Sequence, residues 1–161
     1  MPVDSRHVGR RYGPFRYPVG LESIRDFAAA VSGGLPGRLA WSPADGGPVP
    51  HLFHWDEEAA SRSPYGSVIA PPTYAAVFAM QAFAAALADP EVGVDVARVV
   101  HGEQELELLA PVRPGDVIET TGEIAAIQQK ASLDLVTVTT TSRNQRGEAV
   151  VRATWTAAVR R

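Results

Sequence analysis

The chain has 161 residues, of which 45% are apolar and 20% charged, with a formal net charge of -3. These fractions are those of a folded globular protein rather than a disordered, collagenous or coiled-coil one, and the absence of cysteine excludes a disulfide framework, a thiolate metal site and a cysteine nucleophile. The fourteen arginines are scattered against Lys130 alone and the balance is acidic, so no basic patch is present to neutralise phosphates and nucleic acid is not an expected partner.

The length suits one domain over residues 1–161. The opening MPVDSRHVGRR carries Asp4 and no apolar run, which is not the pattern of a secretory signal, so a cytoplasmic home is expected. Leu21, Ile24, Phe27, Ala28 and Val31 recur at helical spacing and Gly33-Gly34 ends the pattern, predicting an amphipathic helix. Residues 34–50, GLPGRLAWSPADGGPVP, sustain neither period and read as a long Gly/Pro-rich insert, either a functional flap or an ornament. Trp41 inside it is costly to expose unless it covers something, which points to a tunnel lid or a partner contact.

Residues 72–88 are apolar on nearly every side, with Gln81 the one strongly polar residue inside. Bounded by Pro71-Pro72 and Asp89-Pro90, the stretch is too short for a membrane span and predicts a buried helix, with Gln81 turned inward and hydrogen-bonded. Strand patterns follow over 98–110, 117–127, 135–142 and 151–159, joined by turns at Arg113-Pro114-Gly115-Asp116 and 144–147. In the first, strict alternation puts His101, Glu103, Glu105 and Glu107 on one face and Gln104, Leu106 and Leu108 on the other. In the last, Val151, Ala153, Trp155, Ala157 and Val159 form the inward face. Hairpin-like connections predict an α+β fold in which a long antiparallel sheet wraps one central apolar helix, the hotdog architecture. Such a unit leaves an edge and a helix side uncovered, so a dimer is expected.

The words RYGPF, HWDEEAA, YGSVIAPPTY and VVHGEQELELLAPVRPGD, in that order, resemble the N-terminal-type MaoC-like dehydratases, related to the FAS1-like dehydratases and the mycobacterial (3R)-hydroxyacyl-ACP dehydratase subunits. The resemblance runs from about Gly9 to the last strand. It implies a hotdog homodimer, or a heterodimer with a second hotdog subunit, acting without a cofactor on an acyl thioester carried by acyl carrier protein or CoA in fatty-acid or polyketide metabolism. The reaction is dehydration of a (3R)-hydroxyacyl group or the reverse hydration of an enoyl group. That chemistry asks for a base at the carbon next to the thioester, an acid at the departing hydroxyl and N–H donors at the enolate-like oxygen.

In relatives the first two are a His and an Asp five residues apart. His54, followed by Trp55-Asp56 and Glu57-Glu58-Ala59-Ala60, falls on the histidine; the position five before it is Val49, which transfers no proton, and Asp45 in the insert is the substitute. At the start of the central helix this chain has Pro71-Pro72 in place of the family's histidine-glycine, and proline has no N–H. The N–H of Thr73 remains, with a second from Ile69 or Ala70. Tyr65 and Gly66 sit where the family closes over substrate, although a plain turn explains them equally, and His101 either lines the acyl tunnel or caps a network with Gln104.

Two further readings stay open. Proline-containing helix starts also occur in non-catalytic halves of this family, which hold the acyl chain while a partner supplies the His-Asp pair. A hotdog thioesterase, the weaker alternative, would need a carboxylate near the central helix to activate water, and Gln81 is the only polar candidate buried in it. His51 and His54 are spaced like a helical metal pair, but Pro50 and the broken period argue against a helix, and no metal is expected. The acidic row Glu103, Glu105 and Glu107 reads as a solvated strand face.

Overall fold

The computed structural model describes residues 3–31 and 52–161. The chain divides into two compact units: Met1–Tyr17 with Ala75–Ala110 and Ile118–Arg161, and Pro18–Tyr74 with Pro111–Val117. Trp41, Asp45 and Val49 lie outside the described residues.

The first unit holds a five-stranded antiparallel sheet and the apolar helix. Its strands are β1 (Arg11–Pro18), β2 (Val99–Leu108), β3 (Val117–Gln129), β4 (Leu133–Arg143) and β5 (Ala149–Arg160), in the spatial order β1-β3-β4-β5-β2. Val/Ile/Thr-rich alternation builds β3, β4 and β5, whose alternate residues are buried in step: Thr120 faces Ser142, Ile124 faces Val138, and Val138 faces Trp155. The predicted inward face of the last strand is the buried one. The sequence-predicted helix begins as a 3-10 turn, Pro72–Tyr74, before a fourteen-residue α-helix, Ala75–Ala88. Together these elements form the hotdog fold, with a sheet packed on a central helix.

Packing of helix on sheet is close. Gly122 on β3 lies where an added Cβ would stand 2.7 Å from the Ala82 Cβ. Phe83 stacks on Trp155 at 5.6 Å between centroids, and the indole N–H donates to Thr140 Oγ1 at 3.1 Å. Thr120 Oγ1 and Ser142 Oγ pair at 2.7 Å, so the hydroxyls in this core are satisfied rather than stranded. Arg10 reaches Asp89 at 2.8 Å and Glu91 at 2.5 Å, and the Tyr12 hydroxyl donates to Asp89 at 3.0 Å. Burial and that hydrogen bond push the Tyr12 phenol up to about 12.

Three sequence expectations change. Residues 11–18 form the edge strand β1, which the pattern did not predict. The connection from β2 to β3 is not a hairpin: β2 pairs with β5 at the far edge, while β3 lies between β1 and β4, so the Arg113–Asp116 turn belongs to a crossover. His101 also changes face. The β2–β5 register slips between His101 and Glu103, so His101 faces Ala157 on the inward side with Gln104, opposite Trp155, while Glu103, Glu105 and Glu107 face Thr156, Thr154 and Arg152 on the other side.

In the second unit the predicted amphipathic helix is α1 (Leu21–Val31), burying Ile24 and Ala28. Phe27 meets Tyr74 edge-to-face at 5.3 Å, and Ser23 Oγ lies 2.9 Å from the Tyr74 hydroxyl. A short helix, α2 (Glu57–Ser61), is N-capped by Asp56, whose Oδ1 accepts from the Ala59 N–H at 2.7 Å. With α3 as the central helix (Ala75–Ala88), no helix among the described residues is long and apolar enough to cross a membrane.

Candidate active site

His54 closes a 3-10 turn, Leu52–His54, just ahead of the Asp56 cap of α2. The HWDEEAA word thus has a local cause: Asp56 starts the helix and fixes the chain direction two residues after the histidine. Arg25 on α1 braces the same segment, donating to Trp55 O at 3.1 Å and pairing with Glu22 at 2.9 Å.

The imidazole is half-buried and oriented by a backbone group. His54 Nδ1 lies 2.8 Å from Ile69 O. A carbonyl oxygen only accepts, so Nδ1 carries the proton in this bond and the lone pair of the neutral ring is at Nε2, the tautomer a general base requires. Ile69 is tied at both ends of its peptide, since its N–H donates to Phe53 O at 3.0 Å. Residues 53–54 and 69 therefore form one small clamp.

A second set of contacts fixes the strand of chain that carries Ile69. Arg113 Nη1 donates to Tyr65 O at 2.7 Å and to Ser67 Oγ, and Asp116 Oδ2 accepts from the Arg113 N–H at 2.9 Å. Gly115 supplies the positive φ of that turn, at 86°. Sequence reasoning saw only a turn in Arg113-Pro114-Gly115-Asp116; the arginine within the turn word was the available signal for a further role. Tyr65 is exposed and touches Phe53 edge-to-face at 6.0 Å, and Gly66, at φ 69°, closes a turn by donating to Ser63 O at 3.1 Å.

The donors proposed for the enolate oxygen fare unequally. The Ala70 N–H is already given to Val112 O at 2.8 Å and the Ile69 N–H to Phe53 O, so neither points at a substrate as the chain stands. Thr73 is exposed, and its N–H makes no hydrogen bond among the described residues. His101 is in the sheet unit, 5.7 Å from the Phe83 ring and 5.9 Å from the Trp155 ring by centroids. Gln81 is half-buried and its side-chain amide has no hydrogen-bond partner among the described residues, contrary to the expectation of a paired amide. The described residues contain no cluster of three or more His, Asp or Glu able to hold a metal ion.

Comparison with known proteins gives this geometry its context. The FAS1-like dehydratase domain region matches residues 6–153. The chain belongs to that family. A protein of Saccharopolyspora erythraea named UPF0336 is 37% identical over 154 residues, covering 95% of this chain and 88% of its own. Among solved structures, the MaoC-like dehydratase of Rhodospirillum rubrum is 28% identical with a TM-score of 0.67, over 96% of this chain and 92% of that one. The HadBC (3R)-hydroxyacyl-ACP dehydratase complex of Mycobacterium tuberculosis is 25% identical with a TM-score of 0.74, over 98% and 99%. This FAS1-like dehydratase-region chain therefore shares a fold with MaoC-like dehydratases along nearly its whole length, and dehydratase or hydratase chemistry is the kind its family performs.

Proposed function

We propose that the chain is a dehydratase, or a subunit of one, acting on (3R)-hydroxyacyl thioesters of acyl carrier protein or CoA, with His54 as the general base. The observation that carries this reading is the Nδ1–H bond to Ile69 O, which orients the ring and, in the neutral imidazole, puts the lone pair at Nε2. In the dehydration direction Nε2 takes the proton from the carbon next to the thioester carbonyl. Charge then builds on the carbonyl oxygen, near the Thr73 N–H at the helix start, and the 3-hydroxyl leaves as water after receiving a proton, so that a double bond and one water replace the hydroxyacyl group. Asp45 is the proposed proton donor. Arg113 acts through Tyr65 and Ser67, on the segment that leads to Ile69, as a positioning residue. Tyr65, Gly66 and His101, with Ala70 and Trp41, are proposed to shape the acyl path.

A second reading is favoured by the helix start: Pro71 and Pro72 have no N–H, and the flanking Ile69 and Ala70 N–H groups are spent within the chain. A site with one donor suits an acyl-holding half of a heterodimeric dehydratase. The purified chain is assayed alone for hydration of crotonyl-CoA, followed by loss of enoyl absorbance. Turnover that falls by about 10²–10⁴-fold in His54→Ala, with the circular dichroism spectrum unchanged, supports the base. Absence of turnover alone, together with an unchanged rate for His54→Ala in a complex with an active hotdog subunit, assigns the chain the holding role instead.

A further inference from the structure

The arginines are scattered in the sequence, yet the fold gathers three of them around one space. Where Val3, the 3-10 turn Val96–Arg98 and the end of β5 meet, the sheet unit holds a cavity of about 180 Å³ lined by Arg98, Arg160 and Arg161. Its apolar lining is Val3 and Val159, both almost fully buried. Gly93, at φ 73°, contributes room rather than contact, since a Cβ there would meet nothing within 4 Å.

The carboxylates nearby are largely spent. Asp95 Oδ1 accepts from the Ala97 N–H at 3.1 Å, and its Oδ2 meets Arg98 Nε at 3.1 Å. Asp134, behind the cavity and 1% exposed, gives one oxygen to the Val3 N–H and the other to Arg161 Nη2. Each carboxylate therefore holds a single edge of a single guanidinium. Both Nη groups of Arg98 and the Nε and Nη1 groups of Arg161 make no hydrogen bond among the described residues, and Arg160 makes no side-chain hydrogen bond or ion pair there at all. A guanidinium carries five N–H donors in a planar fork, so most of the donors around this space are unspent. Three like charges around one cavity repel one another, and an anion placed between them reverses the sign of that interaction.

The lining also selects among anions. A carboxylate offers two oxygens and fits one fork, whereas a phosphoryl group offers three terminal oxygens and nearly two negative charges at neutral pH, which matches three guanidiniums. No aromatic ring lines the cavity among the described residues, so nothing there stacks on a nucleobase. The volume is far above the roughly 10–15 Å³ that one water needs, and the two valines suit a short aliphatic group beside the anion.

We propose that this cavity binds a phosphoryl group, as the free ion or as the monoester of a small aliphatic compound, held by Arg98, Arg160 and Arg161. The proposal is independent of the role of His54, because it is read from binding and not from turnover.

The full chain, in low-salt buffer free of phosphate and sulfate, is titrated calorimetrically with inorganic phosphate and with glycerol 3-phosphate, with acetate and glycerol as controls. Both phosphates should bind saturably and the controls should not, and added salt should weaken binding. Arg160→Gln should weaken it on the order of ten-fold while leaving the urea midpoint in place, because Arg160 has no side-chain bond to lose. Arg98→Gln is the second variant, with the same expected loss, and amide NMR signals of Gly93 and Arg161 should move on titration of wild type. Tighter binding of glycerol 3-phosphate assigns the site to an organic phosphate, and equal affinities assign it to the free ion. No saturable binding of either phosphate, equal binding of acetate, unchanged affinity in both variants, or amide shifts that leave out Gly93 and Arg161 would each overturn the proposal.

Discussion

Gly122 is legible in the sequence as a glycine in a strand and nothing more, yet its position fixes how close α3 lies to the sheet. A methyl added there would stand 2.7 Å from Ala82 Cβ, closer than real contacts allow, and that Cβ is held on a helix rather than at the end of a flexible side chain. Gly122→Val should therefore cost about 1–3 kcal/mol, read as a lowered urea midpoint with the slope unchanged. His54 shows the opposite balance. The family resemblance carried by Trp55-Asp56 and Glu57-Glu58-Ala59-Ala60 is what nominates it, but the carbonyl that orients it belongs to Ile69, fifteen residues on, and no local pattern announces a backbone acceptor. The Ala70 N–H is illegible for the same reason: it donates to Val112 O, a partner supplied by the crossover rather than by its neighbours.

At the level of elements, strong period-two alternation made β3, β4 and β5 readable, and the Pro-bounded apolar run made α3 readable. β1 was missed because its half-buried residues are Tyr12, Phe15 and Tyr17, so the alternation breaks at Pro14, and the strand exists only because β3 pairs with it. The crossover between β2 and β3 was read as a hairpin because a turn word says that the chain bends and not where the next strand lies. Gly102 held the signal for the slipped register, since glycine inside a strand marks a bulge, and one extra residue moves His101 to the other face. α3 offers an element-scale prediction. Gln81 is half-buried and its side-chain amide makes no hydrogen bond among the described residues, so no side-chain bond is lost when the amide is removed. Gln81→Leu should leave the stability of the isolated chain within about 0.5 kcal/mol, whereas a paired buried amide would lose about 1–3 kcal/mol; thermal and urea melts separate the two.

Across the whole molecule, the contact of longest reach within the sheet unit joins residues 3, 134 and 161. Asp134 is 1% exposed; its Oδ2 accepts from the Val3 N–H at 2.9 Å and its Oδ1 from Arg161 Nη2 at 2.6 Å. Burial alone would push this carboxyl up, but the hydrogen bonds from Arg161 and Val3 and the attraction of the guanidinium outweigh it and hold the group below its ordinary value of 3.8. A carboxyl whose pKa is lower folded than unfolded binds its proton more readily in the unfolded chain. The stability it contributes is therefore full above the ordinary value and is lost as pH falls through that value toward the lower folded one. Asp134→Asn keeps the shape and removes the charge, so it should cost about 1–3 kcal/mol at pH 7, where the wild-type group is ionised. In urea melts taken from pH 7 downward, the gap between wild type and Asp134→Asn should hold until the ordinary value of 3.8 is approached and then narrow as the wild type loses its advantage. A gap that stays constant through that range would mean that the Arg161 and Val3 contacts do not favour the ionised form, and that Asp134 is held there by shape alone.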